Sequence, residues 1–210
     1  MTDLAIVSAG LRDPSSTRLL ADRIDAAMRA ELSRANVPAT SSVIELRPLA
    51  RAIVDALLTG VASPDLQSAF DTLSEADGLI AVTPAFNASF SGLFKLFFDV
   101  LPQETLSDMP VLIAATGGTE RHSLVLEHAM RPMFSYLHAV VAPTGVYAAT
   151  NEFGAQTASG ALSERIHKAA ANFARLLQSC GPRERRDPFA EDLTAMERLL
   201  GPSGPDAPGP

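Results

Sequence analysis

Residues 78–83, Gly78-Leu79-Ile80-Ala81-Val82-Thr83, form a short apolar run closed by Pro84. Residues 110–116, Pro110-Val111-Leu112-Ile113-Ala114-Ala115-Thr116, form another, stopped by Gly117-Gly118. Runs of this length without polar alternation are strands buried on both faces, the pattern of a parallel sheet. Further strands are expected at 3–8, at 41–46 and across 140–147, where Pro143 predicts a break or bulge. Between the runs the apolar spacing becomes helical. Leu19, Leu20, Ile24, Met28 and Leu32 predict an amphipathic helix near 16–34. Others are expected over 48–58, after Ser63-Pro64, over 90–101, over 121–137 with Pro132 interrupting it, and from Leu162 through Leu176 to a stop at Gly181-Pro182. Five strands alternating with helices predict an α/β fold: a parallel sheet covered on both faces.

The 210 residues suit one domain of ordinary size, expected over 1–181. Residues 182–210 differ in composition. Asp187-Pro188 is an N-cap pair, and Phe189, Leu193, Met196 and Leu200 share one face, so a short amphipathic helix is expected over 188–200 and a disordered Pro/Gly tail over 201–210. No apolar run approaches the roughly 18 residues that a membrane span needs. Met1-Thr2-Asp3 has no basic region ahead of an apolar stretch, so no signal peptide is expected and the location reads as cytoplasmic. The single cysteine, Cys180, excludes an intrachain disulfide framework and any multi-cysteine metal site, and no base near it in sequence marks it as a nucleophile. The net charge of −7 argues against a nucleic-acid binder. It does not exclude a small anion held by backbone amides. Neither lysine, Lys95 or Lys168, stands in a G-x-x-x-x-G-K-[ST] loop, which rules out a P-loop nucleotidase.

In an open parallel sheet, ligands bind beyond the carboxyl ends of strands, at a switch in strand order. In the flavodoxin-like order 2-1-3-4-5 the loops to inspect follow strands 1, 3 and 4. The first reads Ser8-Ala9-Gly10-Leu11-Arg12-Asp13-Pro14-Ser15-Ser16-Thr17 and opens a helix. Unpaired N–H groups, hydroxyls and one Arg suit a phosphate, although Ser15 or Ser16 could equally serve as a plain helix cap. The second, Thr83 to Gly92, suits a chain that leaves a strand, passes flat against a ligand and re-enters a helix; an ordinary connection has the same composition. The third, Thr116-Gly117-Gly118-Thr119-Glu120-Arg121-His122, lets backbone amides approach a planar ligand closely.

Two stretches, Thr83-Pro84-Ala85-Phe86-Asn87-Ala88-Ser89-Phe90-Ser91-Gly92 and Ala115-Thr116-Gly117-Gly118-Thr119, with His122 and Arg131-Pro132 following, carry a family resemblance over about 1–180. The chain resembles the flavodoxin-like NADPH-dependent FMN reductases, most closely the branch that supplies reduced flavin to two-component monooxygenases of the alkanesulfonate type. By this likeness Arg12, Ser15, Ser16 and Thr17 surround the FMN phosphate. Pro84, Ala85, Phe86, Asn87 and Ser89 lie along the ring and ribityl chain. Thr116, Gly117, Gly118 and Thr119 border the ring's polar edge. The chain departs from the family at Ala9-Gly10, where Gly-Ser is frequent, at Phe86, where Tyr is frequent, and at Asn87, where a basic residue is common.

The resemblance implies hydride transfer from NADPH or NADH to FMN, with the cofactors carrying the chemistry and no catalytic side chain in that step. The N–H groups at Gly117, Gly118 and Thr119 are then candidates for stabilising developing charge. His122, at a helix start beside this edge, is read either as a cofactor contact or as a polar first-turn residue. His128 corresponds to an inserted Tyr or His in a π-bulge at a subunit interface, so the resemblance implies a homodimer or homotetramer. His138 and His167 read as surface residues. Arg183, Arg185 and Arg186 read as a solvated connection to the tail. Two other readings stand beside this one: an enzyme that keeps FMN and reduces a quinone or azo compound, and a flavodoxin-like electron carrier.

Overall fold

In the computed structural model, residues 1–154, 156–181 and 183 are described. Strand β1 (Thr2–Ser8) enters helix α1 (Ser16–Arg34), followed by β2 (Ala39–Glu45), α2 (Leu46–Thr59) and α3 (Pro64–Ser74). Next come β3 (Gly78–Phe86), the two-residue β4 (Ser89–Phe90), α4 (Gly92–Asp99) and β5 (Pro110–Gly117). The chain continues through α5 (Arg131–Tyr136), β6 (Val140–Val141), β7 (Val146–Ala149) and α6 (Gln156–Cys180). The sheet order is β2-β1-β3-β5-β6, with β7 on the same edge of β5 and β4 folded back on β3. All pairings are parallel except β3 with β4. With β6 and β7 taken as one interrupted strand, the expected order 2-1-3-4-5 is present, and the sheet counts seven strands rather than five.

The alternation along each strand sorts side chains to two faces. Leu4, Ile6, Ile80, Val82, Leu112 and Ala114 pack under α1 and α6 with Leu20, Ile24, Met28 and Phe173. Val7, Leu79, Ala81, Val111, Ile113 and Ala115 pack under the other helices, where aromatic rings dominate. Phe94 meets Phe98 at 4.8 Å between centroids, and Phe98 meets Phe134 at 5.1 Å, both edge to face. Each such ring, fully buried, contributes about 1.5–3 kcal/mol.

Three expectations need correction. Pro84 does not end its strand. β3 runs on to Phe86, and Pro84 pairs in register with Thr116, because alternate residues of a parallel ladder turn their N–H groups to opposite neighbours and one missing donor is tolerated. Asn87 (φ 48°) and Ala88 (φ 65°), both left-handed, then make a two-residue turn into β4. Helix α4 consequently starts at Gly92 rather than 90, where Ser91 Oγ accepts the Phe94 N–H at 3.2 Å. The helix expected over 121–137 is three pieces: a 3-10 turn at Glu120–His122, a π-helical segment at Leu126–Met130, and α5. The Arg131 N–H donates to Leu126 O, five residues back, and Pro132 has no N–H to restore the tighter ladder. The π geometry implied for His128 is present, with its side chain exposed.

The break expected near Pro143 lies between β6 and β7. Val141 pairs with Val111 and Val146 with Ala114, so two extra residues loop outward on the later strand. Arg131 satisfies the carbonyls released there, donating to Ala142 O at 2.9 Å and Pro143 O at 3.3 Å. Asn172 on α6 donates to Thr144 Oγ1 at 2.7 Å. Gly145 fits because a side chain there would press on Ile113 O at 3.0 Å. The loop expected over 148–160 holds the end of β7, a 3-10 turn at Thr150–Phe153 and the start of α6. Arg183 is not solvated: it donates to the carbonyls of Ser74, Ala76 and Thr105. The helix and tail expected over 188–210, with Arg185 and Arg186, lie outside the described residues. Among the described residues no helix is long and apolar enough to cross a membrane, and no cluster of metal-ligating side chains occurs.

Candidate functional site

The carboxyl ends of β1, β3 and β5 lie side by side, and direct contacts tie their loops together. The Ala9 N–H donates to Val82 O at 2.9 Å, fastening the first loop to β3. Thr17 Oγ1 and Thr116 Oγ1 share a hydrogen bond of 2.9 Å between buried side chains, fastening the start of α1 to the end of β5. A Cβ placed on Gly117 would lie 3.6 Å from Ala85 Cβ, so the second and third loops are in van der Waals contact.

The first loop leads into the N-terminus of α1. Ser15 caps α1, its Oγ accepting the Arg18 N–H at 3.1 Å. The first turn of this 19-residue helix carries no acidic residue, so its positive end is uncompensated. Arg18 is committed elsewhere: hydrogen bonds to Asp22 and Glu45 raise its pKa above the ordinary arginine value. Arg12 is exposed and makes no ion pair among the described residues. A cleft of about 690 Å³ opens here, bordered by Ser8, Arg12, Ser15 and Arg47, and also by Asp13 and by Asp22 and Glu45, both paired with Arg18. Ser8 Oγ is buried without a hydrogen-bond partner, a costly state that a polar ligand would relieve. Gly10 is dictated by Ser15: a Cβ at Gly10 would sit 2.0 Å from Ser15 Oγ.

The second loop presents a flat rim. Pro84 and Ala85 are half-buried, and Phe86 is 46% exposed. Ser89 is half-buried on β4, opposite Phe86. Thr83 is not available to a ligand: its Oγ1 accepts the Ser91 N–H at 3.1 Å and donates to Pro84 O at 3.0 Å. The turn holding Asn87 and Ala88 costs about 1 kcal/mol at Ala88, whose methyl crowds the backbone at positive φ.

The third loop presents backbone. Gly117 is half-buried, and Gly118 and Thr119 are exposed. A Cβ at Gly118 would meet nothing within 4 Å, whereas one at Gly117 would sit 2.1 Å from Tyr147 Oη. The Tyr147 hydroxyl donates to Thr119 O at 2.6 Å, and the Thr150 hydroxyl to Gly117 O at 3.1 Å. His122 lies one turn further on, exposed, its N–H on Thr119 O at 3.4 Å.

The structure therefore gathers Arg12, Ser15 and Thr17 with Pro84, Ala85 and Thr116 to Thr119. Ser16 starts α1 with its side chain exposed, and Phe86, Asn87 and His122 are exposed as well. Sequence reasoning placed Ser8 in the first loop without giving it a role, and did not find Tyr147, Thr150, Glu152 or Arg165. Tyr147 stood out only as one of two tyrosines in the chain. The others carried no local signal.

A doubly wound sheet with an anion-binding helix end, a flat rim and an amide-rich edge at its switch point defines a nucleotide- or flavin-binding α/β protein. Residues 2–154 match the family model described as NADPH-dependent FMN reductase. The chain is 41% identical over 171 residues to an FMN reductase (NADPH) of Pseudomonas aeruginosa, covering 81% of this chain and 89% of that one. It is 40% identical over 171 residues, with the same coverage, to the NADH-dependent FMN reductase SfnF of Pseudomonas fluorescens. Among solved structures, an oxidoreductase from Corynebacterium diphtheriae superposes with a TM-score of 0.81 at 46% identity, covering 85% of this chain and 98% of that one. The chain belongs to the NADPH-dependent FMN reductase family.

Proposed function

We propose that this protein is an NAD(P)H-dependent FMN reductase whose reduced flavin serves a partner monooxygenase. The carrying observation is the convergence of three loops at the carboxyl edge of the sheet, with a cleft beside Arg12 and the start of α1 and the exposed backbone of Gly118 and Thr119 close by, in a chain of this family. The residues present fit FMN. Ser8 Oγ is a buried orphan beside the anion-binding end, and Gly118 leaves open space at the amide edge. Arg12, Ser15 and Ser16, with the first amides of α1, would hold the phosphate. Pro84, Ala85, Phe86, Asn87 and Ser89 would flank the ring and ribityl chain. Thr116 to Thr119 would border the polar edge, with His122 beside it.

FMN, when bound, supplies the hydride acceptor and the nicotinamide cofactor the hydride. The chain's part is to position and to stabilise. The helix end and Arg12 fix the anionic terminus, and the rim at 84–89 restricts the ring to one plane. The amides after Gly117 offer hydrogen-bond donors where negative charge grows, without a side chain that must change protonation state. No proton transfer by a side chain is required. Between the two Pseudomonas relatives the nicotinamide preference divides, with NADPH named for one and NADH for the other. A cytoplasmic setting and a homodimer or homotetramer, with the exposed His128 of the π segment at the subunit contact, belong to the same proposal.

The test is direct. Purified protein is expected to oxidise NADPH or NADH when FMN is added, and to do so far more slowly without it. Absence of flavin-dependent oxidation with both nucleotides would refute the reading. His128→Ala is expected to change the oligomer size measured by light scattering.

A further inference from the structure

We propose that Tyr147 and Thr150 are positioning residues that clasp the Gly117–Glu120 backbone so that its N–H groups face the flavin. The proposal rests on the FMN reductase reading and concerns how the chain aims its donors.

The argument begins with the planarity of the peptide group. In a trans peptide the C=O and the following N–H point in opposite directions. Thr150 Oγ1 takes Gly117 O at 3.1 Å, which draws that carbonyl toward the end of β7. The Gly118 N–H is therefore turned away from β7. Tyr147 Oη takes Thr119 O at 2.6 Å, so the Glu120 N–H is likewise turned away. Neither N–H has an acceptor among the described residues. Gly117 also pairs with Ala149 at the end of the β5–β7 ladder, which holds its peptide from the same side. The Thr119–Glu120 peptide lies beyond the ladder and follows two adjacent glycines, so without the Tyr147 hydroxyl it is free to rotate and lose that orientation.

The clasp is itself held from behind. Glu152 is 9% exposed; its Oε2 accepts the Ala149 N–H at 2.9 Å, and its Oε1 takes Arg165 Nη2 at 2.6 Å. The same Arg165 nitrogen reaches Tyr147 O at 3.2 Å. The end of β7, which carries both hydroxyls, is thus fixed to α6 by a buried acid and an arginine. Gly117 completes the arrangement, because any Cβ there would meet Tyr147 Oη at 2.1 Å. Burial, and then the charge of Glu152, push the Tyr147 pKa up, which keeps the phenol protonated and able to donate.

Tyr147→Phe keeps the buried ring and removes only the donor, so the variant is suited to folding normally. Thr150→Val does the same for the second hydroxyl. Both are compared with the intact chain by fluorescence titration with oxidised FMN, by anaerobic titration with reduced FMN, and by thermal melting. Loss of an aimed donor to a charged acceptor is expected to weaken reduced FMN by roughly tenfold in Tyr147→Phe and by less in Thr150→Val. Oxidised FMN is expected to be affected less, so the ratio of the two affinities moves. A merely structural role would lower the melting temperature and weaken both forms equally. Equal weakening, or two unchanged affinities in the double variant, would overturn the clasp while leaving the reductase reading intact. Failure of the unaltered chain to bind either form of FMN would overturn both.

Discussion

The loop after β1 and the loop after β5 are joined by the Thr17–Thr116 hydrogen bond, yet the first presents side chains and the second presents backbone. Arg12, Ser8 and Ser15 project their own polar atoms, and a helix end stands behind them. Gly117 to Thr119 contribute peptide groups whose orientation is set by Tyr147 and Thr150, some thirty residues further along the chain. The difference is one of tolerance. Where side chains make the contact, removing one subtracts one contact. Where backbone makes it, a change in any residue that shapes the backbone alters all the contacts together.

The largest expected effect breaks the second loop. In Gly117→Ala the new methyl must displace a buried, hydrogen-bonded phenol, at a cost of about 1–3 kcal/mol in stability. FMN affinity should fall by a comparable energy, roughly five- to 150-fold. Urea melts and fluorescence titration measure both, and wild-type behaviour in either would show that the close approach at Gly117 is dispensable. Next is Arg12→Ala in the first loop. FMN should bind about tenfold more weakly, as for one charge-assisted hydrogen bond, while riboflavin, which has no phosphate, should bind as before. An equal loss for both ligands would move Arg12 away from the phosphate. Ser15→Ala comes third. It removes the cap of α1 and should cost about 1 kcal/mol, read as a lower melting temperature.

The smallest effect asks whether the comparison extends to the broken strand, where a side chain again holds backbone. Arg131 grips Ala142 O and Pro143 O while pairing with Glu127 through two hydrogen bonds, at 2.6 and 2.9 Å. This pairing, through the Arg131 hydrogen bonds first, lowers the Glu127 pKa. The folded-state pKa thus lies below the unfolded one, so the pair stabilises the fold above the ordinary glutamate range. That stability is lost as pH falls through the folded value. Glu127 is half-exposed, so the contribution is small. Urea midpoints of Glu127→Gln and the unaltered chain should differ slightly at neutral pH and converge in acid below the ordinary glutamate range. A gap that persists into acid would contradict this.

The contrast also explains what could be read from sequence. The strands were legible because burial on both faces leaves long apolar runs, and their order followed from alternation with helices. Ser15 as the cap of α1 and Gly117 as the end of β5 were legible because each acts where it stands in the chain. Tyr147 and Thr150 were not, since a hydroxyl reaching back to a carbonyl some thirty residues earlier leaves no local pattern. Pro84 misled because a proline breaks a strand only where its missing N–H was needed. The hairpin at 86–89 was hidden for a similar reason: Ala88 at positive φ is not the glycine that signals such a turn.

The interrupted last strand has a consequence for how these molecules treat one another. An uncovered sheet edge invites a neighbouring chain to add a strand, the first step toward insoluble assemblies. On this edge a newcomer would find two paired residues, an outward loop with Pro143, and then four more. Arg131 and Asn172 already occupy groups in that gap. No unbroken ladder long enough to template β-addition is left along that side of the sheet.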